Sequence, residues 1–149
     1  MARITVGVTL DAPPERVWEL LEDIGSHVMW MQDAESIEFT SATTRGVGTT
    51  FDCRTRVGPF RLLDHMEVTA WSPGRRMGVR HVGLVTGDGS FRLRPRRRGR
   101  TRFVWSERLS FPWWMGGPVG ALAASPVLRH VWRSNLRNLR ALVDGEPVR

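Results

Sequence analysis

The feature that most constrains the fold is an uninterrupted succession of strand-like runs between an early helical segment and one long helix at the end. The connectors between these runs are short and contain glycine, proline or aspartate, which are turn formers. Consecutive strands joined by tight turns pair antiparallel, because a parallel pair needs a long crossover connection. The six predicted strands of this meander are Ser36–Thr43, Thr49–Val57, Phe60–Trp71, Arg76–Val85, Ser90–Arg96 and Thr101–Phe111.

A further strand and two short helices precede the meander. Residues 3–10 alternate between apolar and small or polar side chains, which is the pattern of a half-buried strand. The next segment has apolar residues at helical spacing from Val17 to Ile24, and Gly25 ends it. A second short helix is expected to carry Trp30.

One long amphipathic helix is predicted after the last strand. The connecting segment, Pro112–Ser125, is apolar and contains the pair Gly116-Gly117, so we expect a flexible connection. Pro126 is expected to open the helix, because proline suits the first helical turn. Its apolar face comprises Leu128, Val131, Trp132, Leu136, Leu139 and Leu142, and arginines occupy the opposite face.

This order of elements predicts an α+β domain in which a curved, seven-stranded antiparallel sheet surrounds the C-terminal helix. The 149 residues suit one domain, and no linker divides residues 1–149. Because sheets twist and coil, a helix laid across one leaves a cavity where the two surfaces diverge. Concave, mostly apolar spaces of this kind are typical binding sites for small molecules.

Composition narrows the classes of function. Cys53 is the single cysteine, which excludes an intrachain disulfide and a cysteine metal cluster; we expect it to be a small buried side chain. The four histidines lack metal-ligand spacing on a helix, so no metal and no cofactor is expected. The net charge is +7, but the arginines are spread over all elements, which argues against a nucleic-acid partner. Without a signal peptide or an apolar membrane span, a cytoplasmic location is expected.

Several motifs resemble one known family, the START-like SRPBCC superfamily, in its polyketide cyclase/dehydrase and lipid-transport branch. The resemblance covers nearly the whole chain and rests on Asp11–Trp18, Trp30, Gly46–Thr49, Val68–Arg75 and the final helix. It implies the helix-grip fold with a hydrophobic internal cavity. It does not imply one activity, because the superfamily includes carriers, sensors and enzymes.

Strand parity assigns side chains to the cavity, with the arginines marking the outer face of the sheet. Asp64, His81 and Glu107 then face inward, and Asp64 and His81 lie on neighbouring strands, where they could touch. A buried carboxylate needs a partner, water or a ligand, so these three residues are also the candidate acid/base catalysts. The predicted ligand-binding residues are Trp30, Phe51, Asp64, Met66, His81, Phe91, Trp105, Glu107, Trp132 and Asn135.

Three functions fit these residues. The first is a carrier or sensor of a hydrophobic small molecule such as a lipid, isoprenoid or polyketide. The second is a polyketide aromatase/cyclase, although the inward arginine of the cyclase branch matches no position here. The third is an interaction module that uses the basic helix face and has a filled core without a pocket. The ligand's identity, turnover and the oligomeric state stay open.

Some of these residues have a structural interpretation beside the functional one. The polar trio forms either a ligand contact or a satisfied internal network. Trp30 and Trp132 either line the pocket or belong to the core. Trp113-Trp114 either makes a transient membrane contact or gates the cavity, or else packs on the end of the sheet, which is the favoured interpretation.

Overall fold

The computed structural model describes residues 2–145 and has one antiparallel sheet of seven strands in the order β1-β7-β6-β5-β4-β3-β2. Neighbours in the sheet are mostly neighbours in sequence, as short turns require; only β1 pairs with a distant strand, β7. The strands are β1 (Ala2–Leu10), β2 (Ala34–Phe39), β3 (Thr50–Val57), β4 (Phe60–Ser72), β5 (Arg76–Val82), β6 (Thr86–Arg96) and β7 (Arg100–Ser110).

Two helices and three 3₁₀ turns complete the architecture. Helix α1 (Pro14–Glu22) and a 3₁₀ helix (Ile24–Met29) follow β1, and the long helix α2 (Gly117–Val143) follows β7. The remaining 3₁₀ turns are Arg97–Gly99 and Trp113–Met115. The predicted α+β helix-grip fold is thus confirmed, including the two short helices after the first strand. That residues 1–149 form one domain stays a prediction, in which residue 1 and residues 146–149 lie outside the described part.

The start of α2 differs from the prediction. The helix begins at Gly117, so Pro126 lies inside it and most of the expected flexible connection is helical. Proline removes one backbone hydrogen bond, to the carbonyl of Leu122, but both residues are exposed and water can solvate that carbonyl. The left-handed Gly116 (φ 93°) turns the chain into the helix, a conformation that glycine adopts without strain.

Two glycines that read as turn formers lie within a strand. Gly87 and Gly89 belong to β6, and residues 83–85 make the reversal from β5 instead. Their role is close approach: a Cβ on Gly87 would lie 1.8 Å from the Arg108 carbonyl oxygen of β7. Glycine at these positions lets β7 and its side chains crowd against β6.

The core is concentrated where β6 and β7 face α2 and the first 3₁₀ helix. Trp30 is 1% exposed, and its ring centroid lies 5.9 Å from Phe91, 6.4 Å from Phe103 and 6.1 Å from Trp105. Trp132 of α2 stacks on Trp105 at 4.8 Å, nearly parallel. Helix α2 packs mainly on β1 and β7. The sheet curves away from it toward β3 and β4, and a space opens there.

No helix within residues 2–145 is both long enough and apolar enough to cross a membrane.

Candidate functional site

A cavity lies between α2 and the concave face of the sheet. Its volume is about 150 Å³, and its walls come from β2 to β7, α2, the first 3₁₀ helix and the segment before β2. Eight of the ten residues predicted to bind ligand line it: Phe51, Asp64, Met66, His81, Phe91, Trp105, Glu107 and Trp132. Their contact with a ligand stays a prediction. The cavity is inconsistent with the interaction module that was expected to have a filled core.

Trp30 and Asn135 are not in the cavity wall. Trp30 is enclosed by aromatic rings of the core, so the structural interpretation applies to it. Asn135 is fully buried; its amide donates to Asp33 Oδ1 at 2.7 Å and its oxygen accepts from the Gln32 backbone N–H at 2.8 Å. Asn135 therefore fixes the turn that carries Asp33. Helical spacing placed it on the apolar face, but that face also contacts this turn.

The central polar feature of the cavity is a buried pair between His81 and Glu107. Nε2 of His81 lies 3.0 Å from Oε1 of Glu107, and both side chains are more than nine-tenths buried. The two residues are on β5 and β7, with β6 between them. They meet because Gly87 and Gly89 put no side chain in the way; a Cβ on Gly89 would lie 2.6 Å from Glu107 Oε1.

His81 forms no hydrogen bond with Asp64, although the sequence placed the two residues on neighbouring strands, where they could touch. The register of β4 and β5 places Met66 beside His81, so Asp64 lies one pair further along. Asp64 instead accepts a hydrogen bond from Thr55 Oγ1 at 3.0 Å. Strand parity found the correct face for these residues, but it could not find the register or the gap over β6.

Opposing effects set the protonation of His81. Burial lowers its pKa, while the charge and hydrogen bond of Glu107, followed by the charges of Asp64 and Asp88, raise it by more. The net effect is a raised pKa, which favours a charged pair of His81 and Glu107. Nδ1 of His81 is buried and has no hydrogen-bond partner among the described residues.

Asp33 and Asp64 add two further carboxyl groups to the wall. Burial raises the pKa of each, while hydrogen bonds from Asn135 and Thr55, respectively, act in the opposite direction. Asp33 was not predicted from the sequence, because it lies in a turn where no strand or helix period assigns a direction to its side chain. An aspartate between two predicted elements was the only signal.

Two other cavity residues are held neutral by their surroundings. His27 bonds through Nε2 to the Leu21 carbonyl at 2.8 Å, and burial lowers its pKa to about 4. Burial also raises the pKa of the Cys53 thiol to about 11, so it is a poor nucleophile at neutral pH, as expected for a small buried side chain. Within the described part of the chain, no arginine lines the cavity.

One end of the molecule is strongly apolar at its surface. Trp113 and Trp114 are 86% and 59% exposed, so they do not pack on the end of the sheet as favoured from sequence. Antiparallel strands bring the β3–β4 hairpin, the β5–β6 turn and the start of α2 to this same end. Further exposed apolar residues here are Phe60, Leu84, Val119 and Leu122. We call this set of six residues the apolar end.

Comparison with known proteins identifies the family. The family described as polyketide cyclase/dehydrase and lipid transport matches residues 1–144. No curated protein matches the chain.

Solved structures share the fold at low sequence identity. A START superfamily protein from Mycobacterium smegmatis has a TM-score of 0.80 at 9% identity, covering 96% of this chain and 97% of that chain. TTHA0849 from Thermus thermophilus has a TM-score of 0.77 at 20% identity, covering 97% and 98%. The Zhui aromatase/cyclase from Streptomyces sp. R1128 has a TM-score of 0.72 at 19% identity, covering 97% and 92%. With the family match across nearly its whole length, this chain belongs to the polyketide cyclase/dehydrase and lipid-transport family.

Proposed function

We propose that this protein is a carrier or sensor that binds a hydrophobic small molecule, such as a lipid, isoprenoid or polyketide, in the cavity under its sheet. The observation that supports this most is the cavity itself, whose wall is mainly apolar with a few convergent polar groups. Burial of apolar surface contributes about 25 cal/mol per Å², before the costs of association are subtracted. The polar groups then orient the ligand.

The proposal is tested by a substitution that fills part of the cavity with a larger side chain. Met66→Trp adds a large ring to a lining position, whereas Leu63→Trp adds the same ring to an exposed position on the same strand. Binding of Nile red, a neutral apolar dye, is measured by fluorescence in both variants and in the wild type. We expect at least a tenfold loss of affinity for Met66→Trp and no change for Leu63→Trp. Equal affinities in all three proteins would contradict binding in this cavity.

A second experiment identifies the natural ligand class. The purified protein is denatured, and the released material is analysed by mass spectrometry. A hydrophobic compound found with the wild type and absent from Met66→Trp supports the proposal. The same compound in equal amount from both proteins counts against this cavity as its site.

One observation favours an enzyme as the alternative function. The His81–Glu107 pair lines the cavity, and a protonated His81 next to a carboxylate can transfer a proton to and from a bound ketone. An aromatase/cyclase needs such an acid/base pair for aldol closure and dehydration. Among the described residues, however, the wall lacks the inward arginine that the cyclase branch implies.

The test of the alternative is proton exchange at a carbon acid. The rate of deuterium uptake at the central carbon of a hydrophobic 1,3-diketone is followed by NMR with the wild type and with Glu107→Gln. If the protein is an enzyme of this kind, the wild type should accelerate deuterium uptake, and Glu107→Gln should lower that rate at least tenfold. Equal rates would eliminate this role for the pair.

We also propose that the apolar end contacts membranes transiently during ligand uptake. Its two exposed tryptophans are residues suited to a membrane interface, and the net charge of +7 favours an anionic surface. Cosedimentation with phosphatidylglycerol vesicles tests this. The double variant W113S/W114S should lose binding, while Val47→Ser, which removes an exposed apolar residue at the opposite end of the sheet, should retain it. Retained vesicle binding in the double variant would contradict the proposed membrane contact.

A further inference from the structure

The charges in the cavity wall have one sign in excess. Three carboxyl groups line it, from Asp33, Asp64 and Glu107, and the one histidine with a raised pKa, His81, is already paired with Glu107. His27 is neutral, and no arginine of the described chain reaches the wall. A ligand therefore meets carboxyl groups and no free cation.

Two of these carboxyl groups have hydrogen-bonding capacity left. Asp64 accepts from Thr55 through Oδ2, and Glu107 contacts His81 through Oε1. A carboxylate has two oxygens, and within residues 2–145 the other oxygen of each has no hydrogen-bond partner in the structure. These oxygens are acceptors, so a ligand group that donates hydrogen bonds would satisfy them.

A second, independent observation is a missing partner on His81. Its side chain is more than nine-tenths buried, lines the cavity, and leaves Nδ1 without a partner among the described residues. A buried polar atom without a hydrogen bond is costly, and native proteins rarely leave one. Because Nε2 donates to Glu107, Nδ1 of the neutral ring is an acceptor, and an ammonium group lying between Asp64 and His81 would donate to it and favour the neutral ring over the protonated one.

We propose that the polar group of the ligand is a hydrogen-bond donor without negative charge, with an amine as the best matched case, and that the cavity selects against carboxylates and phosphates. This rests on the proposed function, because it names the ligand class of the same cavity. A carboxylate or phosphate in this wall would meet the carboxyl groups of Asp33 and Asp64 with no unpaired cation beside them, in a medium of low dielectric. An ammonium group would instead form charge-assisted hydrogen bonds with them.

The overall charge of the protein makes this selectivity a demanding prediction. At +7, the long-range field attracts anions and repels cations. A preference for an amine over a carboxylate of equal length must therefore originate inside the cavity. It cannot be a general effect of the surface.

The test compares decylamine, decanoate and 1-decanol by displacement of Nile red at pH 8, below their micelle concentrations. A purely apolar cavity would weaken both charged ligands equally relative to decanol. We expect decylamine to bind at least as tightly as decanol and about tenfold or more tighter than decanoate, the range of one charged hydrogen bond. Decanoate binding equally or more tightly would overturn the inference while leaving the proposed function intact. Failure of all three to displace the dye would overturn both.

Variants then assign the preference to named carboxyl groups. Asp33→Asn and Asp64→Asn keep the side-chain shape, and each should lower the ratio of decylamine to decanoate affinity about threefold or more. Glu35→Gln is the control, because it removes an exposed carboxylate outside the cavity. An unchanged ratio in the double variant D33N/D64N, folded by circular dichroism, would contradict the inference.

Discussion

Two parts of the same interior are built on one sheet but are filled differently. Where β6 and β7 face the first 3₁₀ helix, the rings of Trp30, Phe91 and Phe103 pack against one another; Trp30 and Phe103 are at most 1% exposed, and Phe91 also borders the cavity. Under β3 and β4, residues such as Cys53 and Asp64 are short, and the cavity occupies the volume that large rings take elsewhere. We infer that the filled part provides most of the stability and the open part the selectivity.

The largest expected effect is a difference in stability between the two parts when a side chain of each is truncated to alanine. Trp30→Ala should lower the free energy of unfolding by about 3–5 kcal/mol, because it removes a large side chain and leaves a void in a close-packed region. Met66→Ala should cost less than about 2 kcal/mol, since its side chain already borders empty space. Urea denaturation measures both. Equal losses would mean that the cavity wall is as important for stability as the core.

The next effect concerns His27, which lies where the two parts meet. It touches the Trp30 ring and also lines the cavity. Its pKa falls from 6.5 to about 4 on folding, so above pH 6.5 it is neutral in both states and carries no penalty. As the pH falls from 6.5 to about 4, the unfolded chain binds a proton that the folded chain excludes. Stability should then drop by about 3 kcal/mol.

His27→Gln isolates this contribution. The variant keeps an amide donor for the Leu21 carbonyl and removes the titration, so the difference between wild type and variant should change only in that pH window. Asp33 and Asp64 titrate in both proteins and cancel in the difference. A difference that stays constant from pH 7 to pH 4 would show that the site admits the charged ring.

A smaller effect is expected inside the open part, at Gly89. In Gly89→Ala the new Cβ would displace the Glu107 carboxylate from His81, at a cost of about 1–3 kcal/mol for a disrupted buried hydrogen bond. The pKa of His81 should fall, because burial lowers it and the opposing charge and hydrogen bond of Glu107 are then weakened. NMR titration of the histidine ring follows this. Glu107→Gln should lower the same pKa without crowding, and an unchanged value in both variants would refute the role of the pair.

How much of the fold and of the candidate site could be predicted depends on the kind of pattern that the sequence provides. Turn residues and alternating patterns indicated the sheet and its inner face, because side-chain direction on a strand has a strict period of two. They could not show that Gly87 and Gly89 open a gap over β6, since a glycine in a turn and one in a strand look alike in sequence. Asp33 was missed because side chains in a turn follow no regular period. The start of α2 was predicted at Pro126 instead of Gly117, because proline also fits the first turn of a helix.

The smallest effect is expected for an ion pair on the outer, solvent-facing side of the same sheet, which serves as the comparison for the buried pair in the cavity. Glu67 and Arg80 form an ion pair next to the Met66–His81 pair on β4 and β5, but they face solvent. An exposed pair is screened by water and salt, so Glu67→Gln should change the free energy of unfolding by less than about 1 kcal/mol, and less still at 1 M salt. Glu107→Gln, on the concave face, should cost more and resist salt, because its partner is buried. If the two substitutions were equally costly and equally sensitive to salt, the cavity would be as wet as the surface, and the selectivity inferred for it would lose its physical basis.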